Sequence, residues 1–188
     1  GLVQEFADAA RTANIRYALI KPNLDTNVPE GNSAVLQMTP AMYTYYNTLG
    51  VNTVGYPNSD TLPCPQLTGG NSCVYQILTN NYALFVFSQP VNQSTTTFNV
   101  KDPYFTRWTQ SGGVSVMGAP NLAETAFTTT SGATGTVQTF TSGAIFNITG
   151  GNNLAPRMHT VKIPVWNIYS ANNGYAGFLG APTTEELI

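Results

Sequence analysis

The sequence predicts an α+β, β-rich chain made of tandem repeats, each a short helix plus a β-hairpin, and three observations carry that reading. First, three segments place an aromatic residue five positions after a Pro and a Gly ten positions after it: Pro40, Tyr45 and Gly50; Pro103, Trp108 and Gly113; Pro164, Tyr169 and Gly174. Second, each segment closes on a Gly-x-Pro turn, at Gly55-Tyr56-Pro57, Gly118-Ala119-Pro120 and Gly180-Ala181-Pro182. The turn glycines stand 63 and 62 positions apart (118 − 55 and 180 − 118), and self-similarity at a fixed period is the signature of a repeat architecture. Third, two apolar runs follow each of the first two turns, VYQILT with YALFVFS and TVQTFT with AIFNIT. Their Gln76 and Gln138 again differ by 62 (138 − 76).

Residues 1–38 read as the back half of a repeat plus a long connection. Gly1 to Phe6 line up with Gly135 to Phe140, and Tyr17 to Ile20 with Tyr82 to Phe85, with an insertion at the first turn. Residues 21–37 carry turn chemistry at Asn23, Asp25, Asn27 and Pro29-Glu30-Gly31, which predicts an exposed connection. Complete repeats then span 39–100 and 101–161, and residues 162–188 form a front half.

Each helix is expected to start at its Pro, because proline at the first helical position lacks only an N–H that would be unpaired there. Thr39 and Asp102 are placed to cap. Ala41, Met42 and Tyr45, then Tyr104, Phe105 and Trp108, then Val165, Trp166 and Tyr169 share the offsets of one helical face. Gly50, Gly112-Gly113 and Gly174 stand where a left-handed residue ends a helix. Helices of about two turns do not persist alone, so they must pack on the hairpins. The hairpin turns fall at Asn80-Asn81 and Ser142-Gly143. Alternation through Val137, Gln138, Thr139 and Phe140 predicts a sheet with one wet face, filled by Thr and Ser. The two half-repeats leave three arrangements open. They close on each other in a propeller-like ring, they complete each other between molecules in head-to-tail filaments, or the chain is the ordered part of a longer array.

Charged residues make up 9% of the chain, against about 25% in ordinary domains, while uncharged polar residues are abundant, as suits an extracellular protein. A net charge of −2 with seven scattered Lys and Arg gives no footprint for nucleic acid. No apolar run approaches the roughly 20 residues that span a bilayer, so no membrane insertion is expected, and Gly1 opens no signal-peptide pattern. Cys64 and Cys73 flank a Pro/Gly-rich stretch that can turn back on itself. A loop disulfide is favoured over two reduced thiols, and one His with two Cys does not make a tetrahedral metal set.

Trp108, Gly112-Gly113, Met117-Gly118-Ala119-Pro120, Gln138, Phe140 and Gly143-Ala144-Ile145-Phe146, with Leu179-Gly180-Ala181-Pro182-Thr183, resemble the LGFP-repeat family. The family's Phe is replaced by Tyr56, Ala119 and Ala181, and Asn81-Tyr82 stands where the middle unit has Gly143-Ala144. The resemblance implies a secreted module associated with the cell wall or cell surface. It brings no catalytic residues and no cofactor.

Among candidate groups, His159 lies in an expected linker with no nucleophile motif beside it, and reads as a solvated loop histidine. Glu185 and Glu186 read as a charged terminal segment. An acidic residue follows each Gly-x-Pro turn: Asp60, Glu124 and Glu185. With Tyr56, Asn58, Asn121 and Thr183 they would present one polar patch per repeat for sugar hydroxyls, unless they satisfy backbone N–H groups nearby. Hard-cation binding needs six or more oxygens, so no metal is expected. Tyr43, Tyr46, Tyr56, Tyr75 and Tyr175 offer faces for sugar stacking, or fill the core. Asn92 and Asn147 head glycosylation sequons, and the Ser94 to Thr97 run is either an O-linked site or a polar loop. The expected function is non-enzymatic attachment at a cell surface with a cell-wall or surface glycan as partner. The alternative is a filament subunit that self-associates head to tail.

Overall fold

A computed structural model describes residues 2–7, 15–21, 36–65, 72–88, 95–151 and 157–185. The expectations for 22–35, for the Asn92 sequon and for Glu186 lie outside the described residues. The chain divides into two units, Gly1–Asn99 and Val100–Ile188.

The first unit opens with β1 (Leu2–Ala7), β2 (Ile15–Lys21) and β3 (Leu36–Met38), an antiparallel sheet in the order β1-β2-β3. Helices α1 (Pro40–Leu49) and α2 (Val51–Val54) follow. Next come β4 (Leu62–Pro63), β5 (Ser72–Leu78) and β6 (Tyr82–Ser88), then β7 (Thr95–Lys101), which runs across the unit boundary. These form a four-stranded sheet in the order β4-β5-β6-β7. Met42, Tyr43 and Tyr46 of α1 are buried with Val54 between Met38 of β3 on one side and Leu78, Leu84 and Val86 of β5 and β6 on the other. Helix α1 is therefore covered on two sides, by a strand before it and a hairpin after it.

The second unit has α3 (Tyr104–Gln110) and α4 (Gly113–Val116), then β8 (Thr125–Thr128), β9 (Thr134–Phe140), β10 (Gly143–Gly150) and β11 (Arg157–Lys162), in the antiparallel order β11-β10-β9-β8. Helix α5 (Val165–Ala171) and a 3-10 turn at Gly174–Ala176 follow. One face of the sheet carries α3: the Tyr104 hydroxyl donates to Thr136 Oγ1 at 2.6 Å, and Met117 Cε lies 3.2 Å from where a side chain on Gly143 would start. The other face carries α5, with Phe146 edge-on to Tyr169 at 5.7 Å in a cluster that includes Ala144, Val161 and Ala181.

The chain is β-rich with short helices, as the sequence predicts, and several local expectations change. The one wet face does not form. Ala83, Leu84, Phe85 and Val86, and Ala144, Ile145 and Phe146, are each at most 2% exposed, so the central strands are covered on both faces. The segments before Pro103 and Pro164, expected as connections, are strands β7 and β11, added to the hairpin edge. In α1 the buried face is Met42, Tyr43 and Tyr46, while Ala41 and Tyr45 are half-buried, one position off the expected register. Thr39 makes no capping hydrogen bond, whereas Asp102 Oδ1 accepts from Thr106 N at 3.0 Å. Propeller-like pairing of the half-repeats has no counterpart in strand pairing among the described residues. The β3 strand takes the open side of β2, and every sheet has two ends to its strand order.

The hairpins share a register. Gln4 pairs with Leu19, Gln76 with Leu84 and Gln138 with Ile145. The Gly-x-Pro turns also pair alike, with bridges from Pro57 to Leu78 and from Pro120 to Phe140. Gly118 has φ +78°, and a Cβ there would collide with Thr141 Oγ1, so this turn demands glycine for both conformation and space.

Candidate functional site

The acidic residue after each Gly-x-Pro turn reaches back to the strand that precedes that turn's helix. Asp60 Oδ1 accepts from Gln37 N at 2.7 Å, and Thr61 N donates to Gln37 O at 3.2 Å, so the post-turn segment brackets β3. Glu124 Oε2 lies 3.3 Å from Lys101 Nζ at the end of β7. Glu185 Oε2 accepts from Thr160 N of β11 at 3.4 Å. A strand edge leaves backbone groups open, and two of these carboxylates fill one such group. All three candidate acids are thus tied to the strand that precedes the helix of their own segment.

The other candidate polar residues are engaged in the same segments. Asn58 N donates to Ile77 O at 2.8 Å, and Asn121 N to Thr139 O at 3.1 Å. Asn121 Oδ1 accepts from Thr139 Oγ1, and Thr183 O accepts from Arg157 at 3.3 Å. Tyr56 is half-buried against the α1 cluster. Of the rings weighed for sugar stacking, Tyr43 and Tyr46 are buried. Tyr75 stacks on Phe85 at 5.6 Å and Tyr175 tilts against Phe127 at 5.1 Å. Asn147 lies within β10. Cys64 and Cys73 are joined in a disulfide, their Cα atoms 5.2 Å apart, and Cys64 N donates to Cys73 O at 2.9 Å.

The densest polar cluster gathers around Glu185, and sequence reasoning assembled only its acid. Arg107, on α3, pairs with Glu185 Oε1 and donates from Nε to Thr160 Oγ1 at 2.8 Å. Ser111 Oγ lies 3.2 Å from the same hydroxyl. His159 Nδ1 is 3.3 Å from Glu185 Oε1. The single histidine is therefore not a solvated loop residue. It sits inside β11 at 5% exposure, where pairing with Phe146 places it on the face that carries α5. Burial lowers its pKa below the usual imidazole range. Glu185 opposes that shift, and Arg157 and Arg107 add to it. Burial raises the phenol pKa values of Tyr104 and Tyr169 and pushes that of Tyr46 up to about 12, so these rings stay neutral. RMHTVK carries no alternation of apolar and polar residues, its Met158 and Val161 standing three apart, so no local signal placed His159 in a strand.

A groove of about 450 Å³ opens beside this cluster, bounded by Val161 of β11, Val165 and Tyr169 of α5, and the segment from Leu179 to Glu185. A second, of about 460 Å³, lies in the first unit between Ala41, Thr44, Tyr45 and Thr48 of α1 and Thr95 and Thr97 of β7. Among the described residues no group of three or more His, Cys, Asp or Glu is placed to hold a metal ion, and no helix is long and apolar enough to cross a membrane. Compared with known proteins, the chain matches no family model, no curated protein and no solved structure.

Proposed function

We propose that the chain is a non-enzymatic, extracellular tandem-repeat module whose work is structural attachment at a cell surface, in line with the LGFP-repeat resemblance. The carrying observation is the use of its polar groups: Asp60, Glu124 and Glu185, the acids that follow the three Gly-x-Pro turns, are each committed to tying a turn to a strand. The shared hairpin register and the two Pro bridges support the repeat. The low charge content and the Cys64–Cys73 bridge support an oxidising, extracellular setting.

The test is sedimentation of the purified, disulfide-intact chain with insoluble cell-wall material, against chitin and cellulose as controls, alongside turnover assays on glycans and peptides. Retention in the wall pellet without turnover is the expected result. Retention lowered by Asn121→Ala or Tyr56→Ala would place a surface glycan against the Gly-x-Pro turns. Hydrolysis abolished by His159→Gln or Glu185→Gln would overturn the reading and make the β11 cluster catalytic.

A further inference from the structure

The groove of the first unit lies where two rows of hydroxyls face each other. Thr44 and Thr48 stand four apart on α1, and Thr95 and Thr97 stand two apart on β7, spacings that put each pair on one face of its element. With Ala41 and Tyr45 they line about 460 Å³, within the roughly 300–1,000 Å³ of small-ligand sites. Among the described residues, no charged side chain lines it. Thr44 Oγ1 donates to Pro40 O at 3.0 Å, and Thr48 Oγ1 donates to Tyr45 O at 2.7 Å. Both protons are used within the helix, and the oxygen lone pairs remain to accept.

Tyr45 is the fixed point of this groove. It packs half-buried against the α1 cluster, and its phenol oxygen accepts from Asn99 Nδ2 at 2.8 Å. That bond orients the ring and leaves the phenol proton to donate. Burial holds the phenol pKa above its ordinary 10, against the pull of the Asn99 bond, so this group is uncharged as well. The second unit makes the corresponding tie with charge. Asn99 and Thr160 each stand four residues before a Pro (103 − 99 and 164 − 160), and Thr160 is reached from α3 by Arg107, which in turn pairs with Glu185. The first unit keeps the tie from helix to strand, and beside it has an uncharged groove in place of an ion pair.

We propose that the groove between α1 and β7 binds a neutral oligosaccharide, with one sugar ring lying on Tyr45 and its hydroxyls bonded to the two threonine rows. A tyrosine ring offers an apolar face to the C–H face of a sugar and a polar edge to its hydroxyls. Threonine hydroxyls donate and accept, as sugar hydroxyls do. A charged ligand would lose hydration here with no opposite charge to meet it, and a purely apolar one would leave the hydroxyls it covers unpaired. The threonine run of β7 thereby acquires a use beyond that of a polar loop. The inference rests on the attachment reading above, and it places the glycan on α1 and β7 instead of on the Gly-x-Pro turns.

Isothermal titration calorimetry of the full 188-residue chain with cellohexaose, maltohexaose and chitohexaose tests the proposal, with a heparin hexasaccharide as the charged control. Saturable binding of at least one neutral hexamer, and none of the heparin fragment, is the expected result. Tyr45→Ala should weaken binding by about tenfold. Thr97→Val keeps the shape and removes one hydroxyl, for a loss of about fivefold. Because Tyr45 also packs on the core, Thr44→Lys is the second variant: the position is an exposed one on α1, circular dichroism checks the fold, and the long side chain in the groove should abolish binding. Binding that survives Thr44→Lys overturns the site, and equal binding of the heparin fragment overturns the ligand class. A wild-type chain that binds none of the neutral hexamers overturns the proposal, and if that chain still sediments with the wall, the attachment reading stands without it. Hexamer binding without wall retention does the reverse, leaving the groove in place and removing the attachment.

Discussion

The middle and last turn segments of the second unit make the same local structure and meet different surroundings. Each has an aromatic side chain five residues past its Pro that donates to the carbonyl of its turn glycine: Trp108 Nε1 to Gly118 O at 3.1 Å, and the Tyr169 hydroxyl to Gly180 O at 2.6 Å. Both turn glycines are left-handed, at φ +78° and +65°. Yet the middle segment is sealed beneath β9 and β10, and the last is open along Val165 and Leu179. The helix and its turn thus set their own conformation through the aromatic tie and the glycine, while burial depends on a sheet supplied from elsewhere. The tie is local and the core is not.

Breaking the two segments at matched positions should therefore give unequal losses. Tyr104→Ala removes a fully buried ring and its bond to Thr136, and is expected to cost about 3–5 kcal/mol. Val165→Ala, at the matching exposed position, should stay within about 0.5 kcal/mol. Urea unfolding of the full chain reads both, and equal losses would mean the last segment is covered in solution. The turn glycines come next. Gly118→Ala meets left-handed strain of about 1–2 kcal/mol plus a collision with Thr141 Oγ1 that adds about 1–3 kcal/mol. Gly180→Ala meets the strain alone, because the nearest atom to its new Cβ is Ser131 Oγ at 3.9 Å.

The same contrast explains what the sequence allowed to be read. Signals that lie within a few residues were legible: the Pro starts, the glycine stops, the hairpins at 72–88 and 134–150, the close cysteine pair. Features set by a distant partner were not. The strands β7 and β11 are polar in composition and pair with hairpins earlier in the chain, so TTTFNVK and RMHTVK looked like connections. The two-sided burial of the sheets was written in the unbroken apolar runs Ala83-Leu84-Phe85-Val86 and Ala144-Ile145-Phe146, a pattern of strands covered on both faces. The shift in α1 follows from where the helix begins. Pro40 is its first residue, whereas Pro103 and Pro164 stand just outside α3 and α5, and one position turns a helical face by roughly 100°. Of the candidate site, the acids were legible by their place after each turn. Their strand partners lie more than twenty residues back and were not.

A smaller effect separates the last segment by pH. His159 is held neutral by burial, with a folded pKa below the ordinary 6.5. Above that value the imidazole is neutral in both folded and unfolded chains and contributes no pH dependence. As pH falls below it, the unfolded chain takes up the proton first, so stability falls until the folded pKa is reached. Melting temperature measured from pH 7.5 downward should decline in that window, and His159→Phe should flatten the decline. A wild-type curve without it would mean that the imidazole is exposed and β11 is frayed.

The smallest expected effect is at Glu185, and it bears on the same window. Its pair with Arg107 is partly exposed, at 26% and 47% of the two side chains, so screening limits Glu185→Gln to about 0.2–1 kcal/mol, less in high salt. The glutamine oxygen still accepts from Thr160 N, which keeps β11 tied. What the substitution removes is, among the described residues, the negative charge that raises the His159 pKa, leaving Arg157 and Arg107 to oppose protonation. The folded pKa then drops further, and the acid decline should extend to lower pH in Glu185→Gln than in the wild type. Glu124→Gln, whose ion pair is with Lys101 instead, should lose a similar small amount at pH 7.5 and leave the acid decline unchanged. If the two variants share one pH profile, Glu185 is not seated against His159, and the last segment is held by its apolar contacts and the Tyr169 tie alone.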